Sequence, residues 1–134
     1  MVEEVIRYLT SNCSEDYWYD EGIFICDEII EQISETDWDM LGKSLLMMDV
    51  QSKVRLAECL ADVSSTNSTE ILIRLCSIDE GNLFVACIDS LRDKELKKIN
   101  DDDKSMILKR IDDKLMNCTK IEKRIYDDFL LKHT

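Results

Sequence analysis

The segments MDVQSKVRLAECL (Met48–Leu60) and SIDEGNLFVACIDSL (Ser77–Leu91) decide the fold. Each begins with a short acidic turn and continues with apolar residues at helical spacing, such as Phe84, Cys87 and Leu91. Each segment therefore predicts a turn followed by an amphipathic helix.

The two segments belong to a longer internal similarity. A shift of 31 residues aligns Leu41 with Leu72, Leu45 with Cys76, Asp49 with Glu80, Val54 with Val85 and Leu60 with Leu91. Self-similarity at a period of 30 to 40 residues predicts stacked helical pairs, each of which buries its apolar face on its neighbours.

The whole chain has no proline and only three glycines, so it lacks the residues that usually interrupt helices. We predict an all-α fold of stacked antiparallel helical hairpins, with about seven or eight helices. The expected helices cover residues 2–10, 17–34, 36–48, 51–63, 69–77, 82–98, 102–116 and 119–132. Two isoleucine-rich stretches, GIFICDEII (22–30) and ILIRLCSI (71–78), would also suit strands, so a small mixed fold stays open.

The turns within residues 36–99 resemble those of HEAT-like repeats, in which an acidic residue is followed by Val-Arg and small residues. Ala57 falls one place early, and Val85 is followed by Ala86 where the repeat has arginine. The resemblance implies a concave groove that a scaffold or adaptor would use to hold a peptide or a subunit.

Length and composition indicate one domain, 1–134, with an acidic part at 1–50 and repeat-like hairpins at 36–132. The chain has no run of about 18 uncharged apolar residues and starts with MVEEVIRYL, so we expect a cytoplasmic protein. Its six cysteines have irregular spacing and should be mostly reduced. Cys59, Cys76 and Cys87 lie in apolar helical patterns and should be buried.

Charge is strongly asymmetric along the chain. Residues 1–50 contain 13 acidic and 2 basic residues, a net charge of −11, whereas residues 51–134 contain 16 and 15, a net charge of −1. Such a negative field repels nucleic acid and anionic membranes and attracts basic proteins. A solvated face that only aids solubility is the alternative.

Aromatic residues accompany the acids in CSEDYWYDEG (Cys13–Gly22). Aromatic anchors inside a charged rim are typical of protein interfaces. The candidate partner-binding residues are Asp16, Tyr17, Trp18, Tyr19, Asp20, Glu21, Glu35, Asp37 and Asp39. The three consecutive aromatic residues cannot all face one core, so at least one should be exposed, whereas Trp38 follows a helical stripe with Leu41 and Leu45 and should be packed.

No catalytic pattern is present. The single histidine, His133, lies next to the C-terminus, and the chain has no phosphate-binding loop, nucleophile elbow or Cys-x-x-Cys pair. DDDK (Asp101–Lys104) lacks the spacing of a calcium loop and fits a helix start. We therefore expect no enzyme activity, no cofactor, no metal and no binding to nucleic acid or membrane.

Small, acidic, helical chains of this type resemble the immunity proteins of bacterial polymorphic-toxin and contact-dependent growth inhibition systems. The resemblance rests on the acidic first third, on CSEDYWYDEG and on the repeat-like segment from Trp38 to Leu91. It implies a basic protein partner, the toxin domain of a cognate effector, which is often a nuclease. A HEAT-like scaffold and an acidic mimic of DNA are the competing interpretations.

Overall fold

The computed structural model describes residues 1–134 and contains eight helices and no strand. They are α1 (Val2–Leu9), α2 (15–30), α3 (Glu35–Ser44), α4 (Val50–Cys59), α5 (Thr66–Cys76), α6 (Leu83–Leu91), α7 (Asp101–Leu115) and α8 (Lys120–His133). Short 3-10 turns, Leu45–Met47 and Leu60–Asp62, extend α3 and α4. The all-α prediction is confirmed, and both isoleucine-rich stretches are helical.

Helix α2 is interrupted by a π-helical turn. Glu15–Tyr17 and Ile23–Ile30 are α-helical, and Trp18–Gly22 between them is a π-helix. Such turns insert an extra residue into a helix and often lie at functional sites.

The helices form two layers. Helices α2, α4, α6 and α8 pack side by side in that order. The odd-numbered helices cover this row: α1 contacts α2, α3 and α4, α5 contacts α4 and α6, and α7 packs on α8. This arrangement is a stack of helical hairpins, as predicted.

A single core of 29 buried hydrophobic residues includes members of all eight helices. Trp38, Cys59, Cys76 and Cys87 all belong to it, which confirms their predicted burial. Ile121 continues the helical spacing of α8, but it is 72% exposed because the last helix of the stack has no neighbour on its outer side.

Helix ends follow local capping chemistry. Thr119 and Glu122 form a capping box at the start of α8, and Asn100 caps α7 so that the acids of DDDK occupy its first turn, as predicted. The predicted helix 82–98 is too long. It ends at Leu91, because the next apolar residues, Leu96 and Ile99, no longer follow the helical stripe and are only half-buried.

Candidate protein-binding surface

Helix α2 has one buried stripe and one exposed face. Trp18, Gly22, Cys26 and Ile30 are buried and lie four residues apart. The opposite side carries exposed residues that we call the outer face of α2: Asp16, Tyr17, Asp20, Glu21, Phe24 and Glu28. Four residues make about one helical turn, so this spacing separates a core side from a solvent side.

Phe24 is the most exposed aromatic residue of the outer face. Its side chain is 62% exposed, and Asp20 and Glu28 lie one turn before and after it. Tyr17 adds a second aromatic ring that is 40% exposed. The structure therefore combines aromatic groups with acids on one surface, although the sequence did not single out Phe24.

Trp18 does not belong to this surface. It is only 2% exposed, and the Arg55 guanidinium lies 5.2 Å from the centroid of its ring. The structure therefore corrects the prediction that Trp18 belongs to the exposed partner-binding residues. Among Tyr17, Trp18 and Tyr19, Trp18 packs in the core because it continues the buried stripe of Gly22, Cys26 and Ile30.

Tyr19 faces helix α4. Its ring is 51% exposed, and its hydroxyl donates a 2.8 Å hydrogen bond to the Glu58 carboxylate. Burial, followed by this bond to Glu58, raises the pKa of Tyr19 to about 12. Tyr19 therefore stays a neutral donor at physiological pH.

The remaining candidates, Glu35, Asp37 and Asp39, belong to α3. Glu35 accepts a hydrogen bond from the Asn67 side chain at 3.0 Å, and Asp37 completes a capping box with Ser34. Helix α3 begins beyond the far end of α2, whose rise separates residue 16 from residue 30 by about 21 Å. The nine candidates thus belong to two segments, the first half of α2 and the first half of α3.

The acids of residues 1–50 are almost entirely free of cations. Only Glu3 forms an ion pair, with the N-terminal amine at 3.3 Å. Every ion pair of a lysine or arginine side chain joins residues between 53 and 132. Apart from Glu3, the acids of the first third are therefore not engaged in ion pairs, although Lys94 acts on Asp27, and Arg55 and Lys53 act on Asp49, from a greater distance.

One carboxylate of α2 is held in an unfavourable environment. Burial, with smaller effects from Asp62 and Glu31, raises the pKa of Asp27 to about 6, and nearby Lys94 only partly opposes this. One Asp27 oxygen is buried without a hydrogen-bond partner. The inner flank of α2 thus carries negative charge that the fold tolerates at a cost.

No group of three or more His, Cys, Asp or Glu side chains is arranged to hold a metal ion. None of the helices combines the length and apolar composition needed to cross a membrane. Searches against protein-family models, curated proteins and solved structures give no match for this chain. Its function must therefore be inferred from the surface itself.

Proposed function

We propose that this chain binds a basic protein through the outer face of α2, and that it acts as an immunity protein against the toxic domain of a bacterial effector. The observation that carries the proposal is the set of unpaired acids around exposed aromatic rings. Because these carboxylates form no ion pairs within the chain, none has to break when they meet the lysines and arginines of a partner. Their charge also accelerates the encounter.

The exposed aromatic rings supply binding affinity, which charge alone does not provide. Rim charges mainly govern the association rate, whereas a few buried aromatic residues commonly provide most of the affinity. Phe24, with Asp20, Glu21 and Glu28 around it, has this composition. The outer face therefore offers both an anchor and a charged rim.

The toxin is the finer part of the proposal. Nuclease toxins need positive charge to hold phosphates, so an acidic inhibitor can occupy the surface that their substrate uses. The small size, the acidic first third and the stacked helical hairpins of this chain resemble those of immunity proteins, which supports this proposal. A constitutive scaffold would also bind a partner but would relieve no toxicity.

The experiment is affinity capture from the native host, followed by co-expression. The chain is compared with the variant D16N/D20N/E21Q and with D102N/D112N/D113N, which removes the same charge from exposed acids of α7. We expect a basic protein that the unmodified chain and the α7 variant retain and that the outer-face variant loses at low salt. That protein should arrest growth when expressed alone, and the chain should restore growth.

Two results would contradict the proposal. Equal capture by both variants would show that the outer face is only a solvated surface. A partner that is harmless when expressed alone would exclude the immunity role and favour the scaffold.

A further inference from the structure

A pocket of about 360 Å³ opens between the start of α2, helix α4 and the residue before α6. The lining residues that matter here are Glu15, Trp18, Tyr19, Val54, Arg55 and Glu58. The volume lies at the low end of the range of about 300–1,000 Å³ that is typical of ligand pockets. It suits one long side chain.

Glu58 is the central polar group of the pocket. It is half-buried, accepts one hydrogen bond, from Tyr19, and forms no ion pair with any lysine or arginine. Burial raises the pKa of Glu58, while the bond from Tyr19 opposes the rise. A carboxylate in this position would be stabilised by a cation that entered the pocket.

Arg55 lines the same pocket but cannot serve as that cation. Its guanidinium donates to the carbonyl oxygens of Leu9, Ser11 and Cys13, at distances between 2.8 and 3.3 Å. These bonds and the Trp18 ring fix its position away from an ion pair with Glu58. The pocket therefore keeps an unpaired anionic group.

Trp18 provides an independent sign that the pocket is polar and incomplete. The residue is 2% exposed, and its indole N–H is directed at Glu58, where its hydrogen bonding lowers the pKa of that carboxyl, but the contact does not reach the geometry of a full hydrogen bond. The N–H thus helps to hold Glu58 in its anionic form while it lacks a well-formed hydrogen bond of its own. Few buried donors in folded proteins are left in this state.

We propose that this pocket receives one lysine or arginine side chain of the basic partner, with its cation on Glu58 and Glu15 and its stem along Tyr19 and Val54. The inference rests on the proposed function, since it names a contact that the partner makes. Charge complementarity selects the occupant: two carboxylates face a pocket whose only cation is already bound to carbonyl oxygens. The exposed Tyr19 ring adds a favourable surface for a cation.

The test uses the full ¹⁵N-labelled chain and three probes: the N-acetyl methylamides of arginine, lysine and norleucine. Trp18 and Trp38 give the only two indole N–H resonances, and Trp38→Phe assigns them. We expect saturable shifts of the Trp18 resonance with arginine or lysine and none with norleucine. Glu58→Gln should weaken binding of the cationic probe by about tenfold or more, as for loss of a charge-assisted bond.

Two variants keep the test decisive. Asp112→Asn removes the same charge from an exposed position of α7 and should change probe affinity less than about twofold, because an exposed charge outside the pocket contributes little. Tyr19→Phe keeps the ring, removes the donor that competes for Glu58 and should bind the probe at least as well. It also replaces Glu58→Gln as the diagnostic variant if the latter does not fold. The proposal would be overturned if norleucine shifted the Trp18 resonance as much as the cationic probes, if no probe gave a saturable shift, or if Glu58→Gln bound the cationic probes with unchanged affinity. If only Tyr19→Phe can be studied, loss of the shift with the cationic probes in that variant would overturn it.

Binding of the variants to the captured partner distinguishes failure of this inference from failure of the proposed function. If Glu58→Gln binds the captured partner as tightly as the unmodified chain while D16N/D20N/E21Q does not, the pocket assignment falls and the outer face stands. If the cationic probes bind but no basic partner exists, the proposed function falls and the pocket remains a cation site.

Discussion

The Arg55 guanidinium stacks over the Trp18 ring at 5.2 Å and joins helix α4 to the start of α2. Arg55 is 4% exposed, and three main-chain carbonyl oxygens between Leu9 and Cys13 accept its hydrogen bonds. The cation thus satisfies the end of α1, which has no helical partners for its last carbonyl groups. A buried charge without a carboxylate partner holds the acidic third of the chain against the repeat-like hairpins.

Replacing Arg55 with methionine should destabilise the fold by about 3 kcal/mol. The variant keeps much of the stem but leaves buried carbonyl groups without donors, and each such group costs about 1–3 kcal/mol. Urea unfolding measures the loss. Arg124→Met, at an exposed position of α8 without ion pairs, is the control and should change stability by less than about 0.5 kcal/mol. Equal stability of the two variants would show that Arg55 does not hold α1.

A side chain at position 22 should be destabilising, because the Trp18 ring packs directly against Gly22. A Cβ at position 22 would lie 2.9 Å from Cε3 of Trp18. We expect Gly22→Ala to lose about 1–2 kcal/mol, since overpacking outweighs the better helix propensity of alanine. Gly42→Ala is the matched change. There the nearest atom belongs to the flexible end of Arg74, so a smaller loss is expected in thermal unfolding, and the reverse order would contradict this packing.

Asp27 should make stability depend on pH. Its pKa is about 6 in the folded chain against an ordinary 3.8, so the folded state binds the proton more tightly. The resulting stability is fully present below about pH 4 and is lost as pH rises through about 6. Asp27→Asn should therefore raise the free energy of unfolding by about 1 kcal/mol at pH 7.5 and change it little at pH 4. The value at pH 7.5 is reduced for solvent screening and for the lost attraction to Lys94.

The measurement for Asp27 is urea unfolding at both pH values. Glu28→Gln removes the neighbouring exposed carboxylate and should give the same small effect at pH 4 and at pH 7.5. A gain in Asp27→Asn that does not depend on pH would show that the carboxyl does not titrate in this window.

The helices could be predicted from sequence because their signals are local. Apolar spacing at i, i+3 and i+4 needs only a few neighbouring residues, and the structure confirms the helices that it predicted. Helix 82–98 was predicted too long because its charged continuation has ordinary helix propensity. The apolar stripe breaks after Leu91, but the charged residues that follow are compatible with a helix and obscure its end.

The surface was harder to predict because it depends on how α2 docks. The spacing of Trp18, Gly22, Cys26 and Ile30 contains the signal for a buried tryptophan, but three consecutive aromatic residues obscured it. Phe24 was hidden in an isoleucine-rich stretch that also suited a strand. The bond between Tyr19 and Glu58 spans 39 residues and arises only when α2 lies against α4.

The acids of the outer face should control the rate of association. D16N/D20N/E21Q should bind the basic partner about one to two orders of magnitude more slowly at low salt, with a smaller difference near 0.5 M, because salt screens exposed charges. Stopped-flow mixing over a salt series measures this. D102N/D112N/D113N carries the same net charge and should keep most of the rate. Identical rates and salt dependence in the unmodified chain and the outer-face variant would make this surface a solvated face.

Phe24 should be the aromatic anchor of the interface, a role for which the sequence offered Tyr17, Trp18 and Tyr19. Phe24→Ala should lose about 2 kcal/mol or more of binding, while its free energy of unfolding changes by less than about 0.5 kcal/mol because the ring is already in water. Trp18→Ala should show the opposite balance and lose about 3–5 kcal/mol of stability.

Leu131→Ala, at an 81% exposed apolar position of α8, controls for loss of exposed apolar area and should affect neither quantity. Calorimetric titration with the captured partner and urea unfolding separate the two effects. If Phe24→Ala binds as tightly as Leu131→Ala, the partner contacts another surface, and the acids of α2 steer it without an aromatic anchor.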